Sequence, residues 1–162
     1  MTDEPVRAPD DLRRKALLFD VTYEEGLAEA VGRAEEALRR LAPTYERWMD
    51  EGVEQLHAAY LAHRAAPGTR TAEALFAAAH DLRGQAGALD APVIGRIAGG
   101  LARLLAAGGA DPAFVSHSVE AIRAVRRERA DRDDPIGLAI AAEIEERVEA
   151  ALAARPLGSK PR

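Results

Sequence analysis

The chain of 162 residues contains no cysteine, and aromatic side chains make up only 4% of it. The absence of cysteine excludes disulfides, thiolate metal sites and cysteine nucleophiles. Strands prefer aromatic and β-branched residues, whereas alanine is the strongest helix former. This composition argues against a β-sandwich or barrel and predicts an all-α fold with an aliphatic, alanine-rich core.

Long apolar runs and an excess of basic charge are also missing. No stretch approaches the roughly 18 uninterrupted apolar residues that a membrane helix needs. The 22 basic residues are outnumbered by 27 acidic ones, which argues against a general nucleic-acid binder. The beginning, MTDEPVRAPDD, resembles neither a signal nor a transit peptide. We therefore expect a cytoplasmic protein with no membrane and no nucleic-acid partner.

The common motifs of nucleotide and metal enzymes are absent as well. The sequence has no GxxxxGK[ST] phosphate loop, no GxGxxG, no GxSxG and no HExxH. His57 and His63 are six residues apart and point to different sides of a helix, whereas a helical metal pair needs a separation of three or four. We interpret these two histidines and His117 as surface or boundary residues and predict no metal site.

Hydrophobic periodicity and proline signals predict one helical domain over residues 23–154, between a tail at 1–22 and another at 155–162. Pro43 is expected to end the first helix, because proline lacks the N–H and clashes with the preceding turn. Short connections between the helices favour antiparallel neighbours in a bundle. The predicted helices are Tyr23–Leu41, Pro43–His63, Thr71–Leu89, one from Pro92 to Gly108-Gly109, one from Asp111-Pro112 to Arg129, and one from Asp134-Pro135 to Ala154.

The third predicted helix has two faces of different character. At about 100° per residue, His80 lies about 200° from Leu82, which belongs to the apolar stripe. Glycine within a helix costs about 0.5–1 kcal/mol relative to alanine, so two glycines on the His80 face need a reason. Either a bulky partner approaches the backbone there, or a neighbouring helix packs closely. The stripe is Leu75, Leu82, Ala86 and Leu89, and the His80 face holds Phe76, Ala77, Arg83, Gly84 and Gly87.

The segment EALFAAAHDLRGQAGALD resembles the histidine-containing phosphotransfer (HPt) family. That family has a histidine, a basic residue three later, a glycine four later and small residues after it, which here are His80, Arg83, Gly84 and residues 86–88. The resemblance is strong over residues 71–106 and looser over 43–129. It implies an antiparallel four-helix bundle of the phosphotransfer type, with the first and sixth helices as additions.

Two positions depart from the family pattern. Arg83 stands where lysine is more usual; it keeps the positive charge but is bulkier and forks its donors. Asp90 stands where glycine is usual at the end of the helix. Because aspartate tolerates the left-handed conformation better than most residues, we expect the turn to survive.

The resemblance implies a phosphoryl carrier rather than an ATP-dependent kinase. His80 would accept the phosphoryl group on Nε2 from the aspartyl phosphate of a receiver domain and pass it to another receiver. Arg83 would offset the phosphoryl charge, while Gly84 and Gly87 would make room for the partner. The partners would be receiver domains of response regulators or hybrid histidine kinases. They would supply the magnesium, so we expect no cofactor on this chain. Because the chain has enough helices to close a bundle alone, we expect a monomer.

The resemblance also implies a docking surface around His80. Phe76, Ala77 and Gly87, with apolar groups of the following helix, would form its apolar part. Arg96 and Arg103 on that helix would complement an acidic receiver site, unless they serve only solubility.

Three other interpretations remain open. The protein could be an HPt-like module that docks on receivers or kinases without being phosphorylated, or an unrelated helical adaptor or dimerisation module. It could also bind nucleic acid through an arginine-rich run, although interleaved acidic residues favour a solvated face. The run consists of Arg123, Arg126, Arg127, Arg129 and Arg132, and the acidic residues are Glu128, Asp131, Asp133 and Asp134.

Overall fold

A computed structural model describes residues 10–108 and 110–154, with side chains described from residue 26 onward. In these ranges every regular element is an α-helix, which confirms the all-α prediction. No helix in them combines the length and apolar character needed to cross a membrane. The helices are α1 (Asp10–Ala65), α2 (Thr69–Ala88), α3 (Pro92–Ala106), α4 (Pro112–Glu128) and α5 (Pro135–Ala153).

The first two predicted helices form one helix, because α1 continues through Pro43. The prediction that Pro43 ends a helix is therefore wrong. Proline removes one backbone hydrogen bond, a local loss, and the residues around it are mostly strong helix formers such as alanine, leucine, arginine and glutamate. The helix also begins at Asp10, inside the segment interpreted as a tail. Residues 1–9 and the predicted tail at 155–162 lie outside the described residues.

The contacts of the chain divide it into two units, Met1–Pro43 and Thr44–Arg162. In the first unit the described structure is the amino-terminal part of α1. Its large apolar side chains stay in water, with exposed fractions of 52% for Leu27, 48% for Val31 and 59% for Leu38. The apolar stripe predicted for this segment is therefore present but not buried.

The second unit holds a continuous hydrophobic core, and α3 lies at its centre. This helix packs against α2, α4 and α5. Most residues of α3 are apolar or glycine, so the helix can be buried on most of its sides. Ile94, Ile97 and Leu101 are among its fully buried side chains. The remaining part of α1 contributes Met49, Val53, Leu56 and Tyr60 to the same core, and α5 contributes Ala141, Ile144 and Val148.

Three of the four predicted helix starts have the expected local chemistry. Pro92 opens α3 in its first turn. The Asp111 carboxylate accepts a hydrogen bond from the Ala113 amide at 3.2 Å, and the Asp134 carboxylate accepts from two amides at 2.9 Å. The prediction that Thr71 begins the helix is wrong, because α2 begins two residues earlier, at Thr69. The Thr71 hydroxyl donates a hydrogen bond to the Ala66 carbonyl.

The connection between α2 and α3 is fixed by the loop between α4 and α5. Asp90 adopts the left-handed conformation, with φ of 55°, as predicted for this turn. Asp131 accepts a hydrogen bond from the Val93 amide at 2.8 Å and so caps α3, whose own N-cap residue makes no side-chain hydrogen bond. Arg132 forms an ion pair with Asp90 at 2.5 Å. These contacts set the position of α3 relative to α2.

Candidate functional site

His80 lies on the exposed face of α2, opposite the buried face. Its imidazole stacks on the half-buried Phe76, with ring centroids 5.9 Å apart and ring planes 29° from parallel. Leu75, Leu82 and Ala86 are buried, which confirms the predicted apolar stripe, although Leu89 at its end is only half-buried. The burial of this stripe fixes the helix rotation and presents His80 to solvent.

Two glycines on the His80 face have open space beside them. A Cβ atom added at Gly84 or at Gly87 would meet no other group within 4 Å. Close packing against a neighbouring helix therefore does not explain these glycines. The surface beside both glycines is open to molecules outside the described part of the chain.

The close approach of α2 and α3 uses glycines of α3 instead. A Cβ atom at Gly95 would lie 3.3 Å from the Ala86 side chain, and one at Gly99 would lie 3.2 Å from Cδ of Arg83. The Arg83 side chain therefore extends over the backbone of α3 at Gly99. Gly99 is a contributor to the site that we did not predict, because sequence alone does not reveal which helix faces which glycine.

Arg83 supplies positive charge one turn after His80. Among the residues that the structure describes, no carboxylate forms an ion pair with either side chain. Within the same set, no side chain makes a hydrogen bond with the His80 ring. The ring is thus positioned by its stack on Phe76, and no ion pair in the described ranges neutralises the guanidinium charge.

Arg96 and Arg103 lie on the side of α3 that contacts α5. Arg96 donates two hydrogen bonds to Glu145, at 2.8 and 2.5 Å, and Arg103 pairs with Glu149 at 2.7 Å. Hydrogen bonding to Arg96 lowers the pKa of Glu145, and the same bond raises the pKa of Arg96. Both arginines therefore link two helices of the core.

The structure brings the remaining predicted residues together on α2: Phe76, Ala77, His80, Arg83, Gly84 and Gly87.

The other three histidines lie apart from the His80 face of α2. His63 Nδ1 lies 3.0 Å from the Thr71 hydroxyl, and His57 lies 4.0 Å from Glu54. His117 is exposed on α4. In the described ranges no three histidine, aspartate or glutamate side chains come together as metal ligands would.

The arginine-rich run is largely neutralised by acidic neighbours. Arg126 contacts Asp50 at 2.6 Å and Glu46 at 2.5 Å, which ties α4 to α1 within the second unit. Hydrogen bonding to Asp50 raises the pKa of Arg126. Arg123 forms an ion pair with Glu120, and Arg127 forms one with Glu128. These contacts favour the solvated face over a nucleic-acid surface.

No family model matches the chain, and neither the curated proteins nor the solved structures include a match. Inference about function therefore depends on the sequence motif and on the geometry of the α2 face. That geometry offers an accessible imidazole, an apolar neighbour, free space beside the backbone and a cation without an ion-pair partner among the described residues. A neutral imidazole can act as a nucleophile, and a nearby cation can stabilise negative charge on a reacting group.

Proposed function

We propose that this protein is a histidine phosphotransfer protein of a two-component phosphorelay. His80 accepts a phosphoryl group from the aspartyl phosphate of one receiver domain and passes it to the aspartate of another. The observation that carries the proposal is the open space at Gly84 and Gly87 beside the exposed His80 ring. The HPt-like motif over residues 71–106 gives independent support from the sequence.

The chemistry is a displacement at phosphorus. The reacting form of His80 is the neutral imidazole whose Nε2 has a free lone pair and whose Nδ1 holds the proton. As the N–P bond forms, the P–O bond to the receiver aspartate breaks, and the carboxylate leaves with the electron pair. The reverse displacement loads the second receiver. Arg83 stabilises the negative charge on the transferring phosphoryl, and the receiver supplies the magnesium.

The partners are receiver domains of response regulators or hybrid histidine kinases. A receiver holds its aspartate among several loops, so the loops must come close to the α2 backbone for in-line transfer. A glycine at position 84 removes the side chain that would stand in their way. Phe76, half-buried beside His80, and the exposed Ala77 offer apolar contact area. Arg96 and Arg103 act less directly in this proposal, because each is already paired with a glutamate of α5.

The proposal includes the architecture of the family. The part of α1 that follows Pro43, together with α2, α3 and α4, corresponds to an antiparallel four-helix bundle, and α5 is an addition. Support comes from the shared core, to which each of these four helices contributes buried side chains. The protein acts in the cytoplasm, where receiver domains operate, and it carries phosphate without binding ATP.

Phosphotransfer from radiolabelled receiver domains tests the proposal. His117→Gln is the matched control for His80→Gln, because both histidines are exposed on helices of the second unit. We expect acid-labile, alkali-stable label on the wild type and on His117→Gln, and none on His80→Gln. If the folded, helical protein takes label from no receiver of the source organism, the proposal is wrong.

Binding measurements on the same receivers identify the main alternative. A receiver that binds the wild type and His80→Gln equally well, with no label on either, indicates an HPt-like module that docks without phosphorylation. A protein that binds no receiver would instead be an unrelated helical adaptor.

A further inference from the structure

The amino-terminal unit carries an exposed apolar surface on α1, which we call the α1 seam. It consists of Leu27, Val31, Ala34, Leu38 and Leu41, spaced alternately by four and three residues. The four large members are 44–59% exposed. A repeat of 3.5 residues keeps an apolar line facing one partner helix, and so it indicates coiled-coil pairing.

Residues 1–9, which precede α1, are poorly suited to cover this surface. The same spacing continues in the sequence to Tyr45 and Trp48, so the pattern extends over about three heptads. Residues 1–9 include only Met1 and Val6 as large apolar side chains, too few to cover four. Because helices gain most of their stability by packing an apolar face, the seam requires a partner helix.

The flanks of the seam favour a second copy of this chain over a different protein. Coiled coils select different partners through charges at the positions beside the seam. Here those positions are mostly alanine, and Glu35 is the one charged residue among them. Small, uncharged flanks let two identical helices approach closely without like-charge repulsion. The alanines are Ala28, Ala30, Ala37 and Ala42.

The charge along α1 favours an antiparallel arrangement. Residues 20–31 contain four acidic residues and no basic one, whereas residues 32–43 contain three arginines and two glutamates. A parallel pair would place the acidic segments of both chains side by side. An antiparallel pair places each acidic segment beside the more basic one and opposes the two helix dipoles.

We propose that the α1 seam pairs with the α1 seam of a second copy, antiparallel, so that the protein is a homodimer. This departs from the monomer expected from the sequence. The pairing does not require the phosphotransfer function, because His80 lies on α2 in the other unit. Loss of the dimer and loss of phosphoryl acceptance are therefore separately measurable.

Sedimentation equilibrium of the full chain tests the dimer. We expect a mass of twice the 17.4 kDa chain. Leu38→Lys, which places a charge within the seam, should weaken association by at least about tenfold. Leu61→Lys is the matched control, because Leu61 is 39% exposed on the same helix but off the seam spacing. A monomeric wild type at about 100 μM, or equal weakening by both variants, overturns the proposal.

Cross-linking tests the orientation, and the absence of native cysteine makes an introduced one unique. In a parallel pair, Leu41→Cys would face its own copy across the seam and oxidise readily to a linked dimer. In the antiparallel pair that places residues 20–31 beside residues 32–43, the two thiols at position 41 lie about 28 Å apart along the helix axis, so we expect little self-linked product. Efficient self-linking of Leu41→Cys would overturn the antiparallel assignment.

Discussion

The exposed face of α2 and the contacts of α5 use glycine for opposite reasons. On α2, Cβ atoms at Gly84 and Gly87 would enter open space. On α5, a Cβ atom at Gly137 would overlap the Ala130 carbonyl oxygen, and on the facing surface of α3 one at Gly100 would lie 3.0 Å from Val148. The interior glycines permit packing within this protein, whereas those of α2 leave room for something outside it.

The positive charges of the two regions differ in the same way. Arg96 and Arg103 each meet a glutamate of α5, at distances of 2.5 and 2.7 Å. Arg83, one turn from His80, forms no ion pair with any residue in the described ranges. Where α3 meets α5, the glycine packs against a side chain and the arginines pair with glutamates, whereas on α2 the glycines border open space and Arg83 has no ion-pair partner among the described residues. The proposed phosphotransfer function accounts for this difference, because a docking receiver needs the free surface of α2 and not the interface between α3 and α5.

Gly137→Ala should cause the largest loss of stability. The added methyl would collide with a backbone carbonyl, which cannot rotate away as a side chain does, so the loop before α5 must shift. We expect the free energy of unfolding to fall by about 3 kcal/mol, as for a poorly accommodated overpacking change. Urea denaturation followed by circular dichroism measures it. An unchanged unfolding midpoint would contradict the close contact of Gly137 with Ala130.

Gly84→Ala should change the free energy of unfolding in the opposite direction. The methyl meets nothing, and alanine is the better helix former, so the free energy of unfolding should rise by about 0.5–1 kcal/mol. The same denaturation experiment, with Gly137→Ala in parallel, compares the two regions directly. If Gly84→Ala destabilises the protein, Gly84 has an internal packing role and the distinction fails.

The smallest effect concerns the Arg96–Glu145 pair. Its side chains are 37% and 43% exposed, so solvent screening limits the pair to about 0.2–1 kcal/mol. Because Arg96 lowers the pKa of Glu145, this stabilisation is complete above the usual glutamate pKa and is lost as the pH falls through the lowered value.

Glu145→Gln should therefore be less stable than the wild type at pH 7 and equal to it at about pH 2. Thermal unfolding at the two pH values measures the difference. A gap that persists at the acidic pH would show that Glu145 acts through packing rather than through its charge.

Local sequence signals predicted much of the second unit. The aspartate–proline pairs at 111–112 and 134–135 begin α4 and α5, because a carboxylate cap and a first-turn proline act within a few residues. The two faces of α2 also followed from periodicity. The continuity of α1 through Pro43 did not follow, since proline disfavours but does not forbid a helix interior.

The candidate site was predicted in part. Its residues on α2 share one helix, so their common face is fixed by spacing alone. The partners of Arg96 and Arg103 lie 46 or more residues away on α5, and no local pattern specifies such pairs. For the same reason, the sequence left two explanations for Gly84 and Gly87, and the empty space at their Cβ positions removes close packing among the described residues as one of them.

The most direct measurement compares phosphoryl transfer from a labelled receiver to wild type, Gly84→Ala and the bulkier Gly84→Leu. If the space beside His80 serves a docking receiver, transfer to His80 should slow by at least about tenfold in Gly84→Leu and less in Gly84→Ala. Neither variant should lose stability. Transfer to Gly84→Leu at the wild-type rate would contradict the account, because the open space would then have no role in the reaction.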